Sequence, residues 1–393
     1  MSFQDRSFPT LNAVRATGAI MVVLTHAAFN TGQVNHGWTG AVLSRLDFGV
    51  TLFFVLSGFL LSRPYFLTRE LGRDWPSTRH FHWKRALRIL PIYWVVVVVA
   101  LLFDPANDDA TWQVWLSQLT LTQIYRHGLL ASSLTQMWSL CTEVLFYLLL
   151  PVLCHLLVRG AMRDGRPHLP AIYRRAVVLG VMGVGWQAVV AQVPGHDNHY
   201  AQWLPGYLPW FLVGMCYAAL SASLAARPRE HPIERLARDL PGCWILATAV
   251  FAIACTPVAG PRLLLTPTGW EAALKVVLYT IAGAFYLLPL MFGPEREGRA
   301  RARLSGPIPI WLGDISYGIF AMHMFFLNLL FRVLDIDIFT GHFITVALGT
   351  LLVTVPVATV SYYWFERPIM RAKNIRFFSR MDASARPVGA TVE

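Results

Sequence analysis

Apolar residues in this chain collect into long uninterrupted runs, and polar residues fill the short stretches between them. Ten runs stand out, at roughly 11–29, 47–66, 86–103, 138–158, 175–193, 203–222, 243–260, 271–292, 313–332 and 343–364. Each has about the length that crosses 30 Å of hydrocarbon as a helix. Most are apolar around the whole helix rather than along one stripe, as segments facing lipid must be. The pattern predicts an all-α fold: a polytopic integral membrane protein of about ten transmembrane helices. One shorter stretch differs. T111-W-Q-V-W-L-S-Q-L119 has the aromatic and aliphatic spacing of a helix lying along a membrane interface.

Composition agrees. The 393 residues are 55% apolar and 14% charged, whereas soluble chains carry about 25% charged residues. The net charge of +11 would suggest nucleic acid in a soluble protein, but here it follows the loops. With the N-terminus inside, 28 of the 33 Lys and Arg residues fall in the stretch before and into the first run and in segments 62–88, 159–175, 223–240, 293–303 and 366–393. Arg45, Arg126, Arg262, Lys275 and Arg332 remain elsewhere. This asymmetry predicts that both termini are cytoplasmic. The first run carries Arg15 and His26 and is followed by further spans, so it is not expected to be a removable signal. Residues 1–380 read as a single membrane domain and 381–393 as a disordered tail. The five cysteines form no C-x-x-C pair, and H80-F-H82 and H196-D-N-H199 lack the setting of a metal site, so no metal is expected.

Ionisable residues inside the runs carry the chemical interest, because they are costly in lipid and usually face a protein interior or a water-filled path. Arg15 and His26 are eleven residues apart, about 16.5 Å along a helix and on nearly the same face. Histidine suits proton transfer, although a histidine bonded to a carbonyl or sitting at the outer interface would look the same in sequence. Glu143 lies at a depth similar to His26 and could orient it; a structural, hydrogen-bonded glutamate is the equal alternative. Ser139, Glu143 and Tyr147 share one helix face. Ser57-Gly58 falls near mid-membrane, where small residues favour close helix packing, and no G-x-S-x-G elbow marks Ser57 as a nucleophile. Arg85 and Arg88, with Lys84, could grip a phosphorylated ligand or serve as ordinary inner-loop cations. Ser316-Tyr317 and His323 lie on the ninth run. Glu366-Arg367, where the last run closes, reads as an anchor.

These stretches together resemble the membrane acyltransferase family 3, the integral-membrane O-acyltransferases. R15-x10-H26 resembles its first helix, G49-V-T-L-F-F-V-L-S-G-F-L60 its second, and R85-A-L-R88 followed by I89-L-P-I-Y93 its Arg-x-x-Arg loop. W138-S-L-x2-E143-x2-F-Y147, S316-Y-x5-H323 and F365-E-R-P368 follow in the family's order. Two positions depart from the pattern: Asn12 stands where an aspartate is usual, and Thr51 where a more polar residue is expected. Family members often carry an SGNH hydrolase-like domain after the last span. None is read here, so the expectation is a stand-alone form whose acceptor is met by the membrane domain itself or by a partner membrane or periplasmic protein.

The resemblance implies a multi-pass enzyme of the bacterial inner membrane. It would move an acyl group, most often acetyl, from cytoplasmic acyl-CoA to a hydroxyl of a sugar, glycolipid or glycosylated small molecule. On that reading His26 is the general base with Glu143 as its orienter, and an acyl-histidine intermediate is the variant. Arg15, Lys84, Arg85 and Arg88 hold CoA phosphates, and the thioester rises to His26. Ser57, Trp138, Ser139, Tyr147, Tyr317 and His323 form the acyl and acceptor site. The competing class is a transporter or flippase using the same His, Glu and Arg groups, against which stands the absence of an inverted repeat or paired broken helices.

Overall fold

The computed structural model describes residues 8–193, 199–262, 265–294 and 298–372. The expected tail at 381–393 lies outside the described residues. In chain order the helices are α1 (Thr10–Asn30), α2 (Gly37–Ser44), α3 (Phe48–Glu70), α4 (Thr78–Phe103) and α5 (Trp112–Leu119). Then come α6 (Trp138–Val158), α7 (Leu169–Val190), α8 (Leu208–Ala226), α9 (Pro232–Arg238) and α10 (Leu240–Ala254). The last are α11 (Gly269–Phe292), α12 (Gly298–Leu304), α13 (Pro307–Val333), α14 (Phe343–Ser361) and α15 (Arg367–Arg371). A π-helical turn, Tyr362–Glu366, joins the final two. The sheet is one small hairpin pairing Met162–Arg163 with Arg166–Pro167. Its turn residues Asp164 and Gly165 both have positive φ, the Asp-Gly geometry that matches strand twist.

The protein is all-α, and each of the ten expected runs coincides with a helix. Fewer of them, however, are both long and apolar enough to qualify as spans by length and composition alone. Among the described residues eight segments are long and apolar enough to cross a membrane, or nine if α9 and α10, which meet at 86°, form one broken span. That break has a local cause: Asp239 caps α10 by accepting from the Gly242 amide, with a proline in the first turn. The other shortfall is α7, 22 residues long, whose first two turns carry Arg174 and Arg175. The interfacial helix expected at 111–119 is α5.

The packing places α3 at the centre. It runs against α8 over most of its length, and a Cβ on Gly58 would collide with the Phe211 carbonyl while one on Gly214 would collide with that of Val55. The small residue beside Ser57 therefore serves close approach, as its position suggested. Stacked Phe54, Phe211 and Phe146, with centroids 4.4 and 3.9 Å apart, fill the adjoining core. On the other side α1 packs against α13, with Gly313 set against Asn12. Large apolar side chains such as Val181, Ile245 and Leu352 project outward from α7, α10 and α14. They form the surface that lipid would cover.

Candidate functional site: two cavities and a histidine pair

A cavity of about 600 Å³ opens between α1, α3, α4, α6 and α13. The size is that of a ligand pocket. It gathers nine of the twelve side chains singled out from sequence: Arg15, Lys84, Arg85, Arg88, Ser57, Ser139, Glu143, Tyr147 and Tyr317. Asp314, which sequence reading passed over, completes the polar lining. Its cations come from two elements. Arg15 rises from α1, where the Asn12 side-chain oxygen accepts from its Nη1 at 3.0 Å. Asparagine at position 12 thus keeps a hydrogen bond to the guanidinium without neutralising it. The other three come from the first turns of α4. Among the described residues Arg85 keeps a buried Nε without a hydrogen-bond partner, and Arg88 contacts the Met370 sulfur at 3.1 Å. A cluster of cations with an unspent donor, in a cavity, is built for an anionic ligand.

Glu143 stands on the cavity wall. Its carboxylate accepts from Ser57 Oγ, in a very short contact, and from the Tyr147 hydroxyl at 2.6 Å. The helix face drawn through Ser139, Glu143 and Tyr147 thus does line one space. Tyr317 lines it too, but its hydroxyl is spent on the Ile89 carbonyl at 2.9 Å, pinning α13 to α4.

His26 has a different partner from the one expected. Its ring nitrogen Nδ1 lies 2.8 Å from the Val22 carbonyl and 3.1 Å from Nε2 of His323. The parallel helices α1 and α13 bring the two rings within 5.1 Å, while the hydroxyls from α3 and α6 occupy Glu143. Sequence depth put Glu143 level with His26; rotation about the α6 axis points it into the cavity instead. The hydrogen bonds also assign the protons. His323 Nδ1 faces the Phe320 carbonyl at 2.8 Å. A carbonyl only accepts, so with neutral rings this nitrogen carries the hydrogen and Nε2 is bare. His26 Nδ1 then faces two acceptors and must be the donor. Nε2 of His26 is left with the free lone pair.

The histidine pair does not line the cavity. Phe53 and Phe320, edge to face with centroids 6.2 Å apart, stand in its wall, and the His323 ring lies 6.2 Å from that of Phe320. The expected open path from the cations to His26 is not continuous in this conformation: the cavity reaches Phe320, whose ring packs against His323.

A second cavity, of about 250 Å³, lies at the opposite ends of the helices. Trp138, expected beside Ser139 in the first cavity, faces this one, because consecutive residues on a helix diverge by about 100°. Val50 lines both spaces, so the two cavities stand back to back.

Comparison with known proteins completes the picture. A family model described as an acyltransferase domain, acyltransferase family 3, matches residues 8–363. The chain belongs to this family. Among curated proteins it is similar to peptidoglycan O-acetyltransferase OatA of Listeria monocytogenes, 25% identical over 412 residues, covering 96% of this chain and 58% of the relative. It is also similar to acyltransferase MdmB of Streptomyces mycarofaciens, 25% identical over 309 residues, covering 72% of this chain and 78% of the relative. The chain thus spans little more than half the length of the peptidoglycan O-acetyltransferase. No solved structure matches. Family and fold together make this chain a multi-pass membrane member of acyltransferase family 3, with the charged cavity set inside the matched domain.

Proposed function

We propose that the chain is an O-acetyltransferase of the bacterial inner membrane. It takes the acyl group of acyl-CoA at the cation-lined cavity and delivers it to a hydroxyl of a sugar, glycolipid or glycosylated small molecule. One observation carries this reading: Arg15, Lys84, Arg85 and Arg88 meet in a single cavity that also takes in Phe320, whose ring packs against His323, the hydrogen-bond partner of His26. Phosphates of CoA fit the cations, and the acyl arm fits the apolar length between them and Phe320.

In the reaction His26 Nε2 removes the acceptor hydroxyl proton as that oxygen attacks the thioester carbon. The carbon–sulfur bond breaks and the thiolate of CoA takes the proton from His26. His323 accepts from His26 Nδ1 throughout, which fixes the tautomer and steadies the imidazolium. Glu143 holds Ser57 and Tyr147 along the acyl path. Phe320, which lies between the cavity and His323, must turn aside for the thioester to approach the histidine pair. The names of the relatives support an acetyl donor and a carbohydrate-type acceptor.

The test is CoA release from acetyl-CoA by purified protein in nanodiscs, with acceptor present. His26→Ala should abolish turnover while the protein still elutes as a folded monodisperse species. Turnover retained by that variant removes His26 from the mechanism.

A further inference from the structure

The second cavity has no part in donor binding, yet it is furnished for a polar ligand. It is lined from the N-terminal ends of α3, α6 and α11 and the C-terminal end of α7, all on the face opposite the cations of α4. Arg45 lies in its wall but is saturated: the carbonyls of Ala254, Ala259 and Gly260 accept from its guanidinium. The remaining charges, Asp47 and Lys275, pair at 2.6 Å and stay partly open to the space, with side chains 39% and 28% exposed. Tyr279 donates to the other Asp47 oxygen at 2.5 Å. Opposite them stands an aromatic wall, Trp138 against Tyr207 with centroids 5.2 Å apart and Tyr207 against Trp210 at 4.8 Å. An ion pair that is merely buried carries a desolvation penalty. Held beside aromatic faces at the mouth of a cavity, it instead offers one acceptor and one donor to a ligand that brings its own hydroxyls.

We propose that this cavity is the acceptor subsite and that its ligand is a single pyranose ring. The ring's C–H face would lie on Trp138 and Tyr207, and its hydroxyls would bond the Asp47 carboxylate and the Lys275 ammonium. The inference rests on the acyltransferase reading above. A sugar suits the combination of flat apolar wall and paired charges, and the volume of about 250 Å³ admits one ring rather than an oligosaccharide held end to end. The shared wall at Val50 gives the position meaning: a hydroxyl at the inner end of this cavity lies against the wall of the donor cavity.

The experiment measures binding and turnover separately in nanodiscs, with methyl β-glucopyranoside and methyl N-acetyl-β-glucosaminide as probes. Calorimetry on the wild type should show saturable binding of at least one glycoside. Lys275→Ala and Trp138→Leu should each weaken it at least tenfold, and in CoA-release kinetics should raise the KM for glycoside by the same factor while the KM for acetyl-CoA stays unchanged. Asp47→Asn, which keeps the shape of the pair, guards against misfolding and should weaken binding as well. Binding absent for both glycosides in the wild type, or equal in wild type and all three variants, overturns the subsite. Binding that follows the predicted pattern without any release of CoA leaves the subsite standing and removes the acyltransfer reading instead.

Discussion

At the scale of single residues, the decisive arrangement is two imidazoles and two carbonyls. Val22 and Phe320 each occupy one ring nitrogen, and the remaining bond between the rings leaves His26 one basic atom. On the proposed mechanism His323 is a positioning residue, and its removal has a recognisable signature. His323→Ala should lower kcat about 10- to 100-fold, the range seen when an orienting partner is lost, without changing the KM for acetyl-CoA. His323→Gln, whose amide oxygen can accept from His26 Nδ1, should recover part of that loss. Equal kcat in the wild type and the alanine variant would show that the pairing is structural only. Sequence reading found both histidines but joined His26 to Glu143, because depth along a helix is legible in a sequence and rotation about its axis relative to other helices is not. The place of Phe53 and Phe320 in the cavity wall was invisible for a related reason: nothing in a run of apolar residues separates cavity lining from ordinary core.

At the scale of elements, the runs of apolar residues located every long helix, while the span count needed details finer than mean hydropathy. The cap at Asp239 and the arginines of α7 decided it. More instructive are the five cations that did not fit the inside-positive pattern. Four of them are used by the fold on the outer side: Arg45 clasps the turn after α10, Lys275 pairs with Asp47, Arg262 donates to the Val34 carbonyl at 3.0 Å, and Arg332 pairs with Asp104 at 3.0 Å. A cation that breaks the topological rule was thus a usable sign of the outer architecture, and of the second cavity in particular. The Asp104 cluster sews the loop before α6 onto α13. Its carboxylate is buried, which works to raise its pKa, but bonds from Ser133 at 2.5 Å and from Ser132 and Ala106, together with Arg332, outweigh that and hold it below the ordinary value. A carboxyl so depressed contributes stability above its unfolded pKa of about 3.9 and loses that contribution as pH falls through the lower folded value. Asp104→Asn should therefore destabilise the protein by about 1–3 kcal/mol at neutral pH, as expected when charged hydrogen bonds are weakened. The gap from the wild type should stay constant between pH 8 and 5, then close as the wild-type carboxyl protonates. Thermal unfolding in detergent across that range checks it, and a gap that widens on acidification contradicts the assignment.

At the scale of the whole molecule, the fold sets two cavities against one another across a single wall rather than boring one channel. The proposed donor side is lined by Lys84, Arg85 and Arg88 near the start of α4, and the other side by Asp47 and Lys275 at the starts of α3 and α11. Only the acyl group would need to pass between them, so neither partner has to cross the bilayer. This differs from transport, in which the ligand itself travels and either face can load it. The consequence is strict sidedness. CoA is too polar to cross lipid, and on the positive-inside expectation the proposed donor cavity, with the α4 arginines, faces the cytoplasm. Inverted membrane vesicles, with that face outward, should consume external acetyl-CoA when the acceptor is sealed within. Right-side-out vesicles should not do so until they are permeabilised. Arg85→Ala with Arg88→Ala should raise the donor KM in the inverted vesicles, and added salt should raise the wild-type KM more than that of the double variant, because screening weakens the phosphate contacts that only the wild type makes. Consumption of external acetyl-CoA by intact right-side-out vesicles would mean that the cation-lined cavity is not the donor entrance.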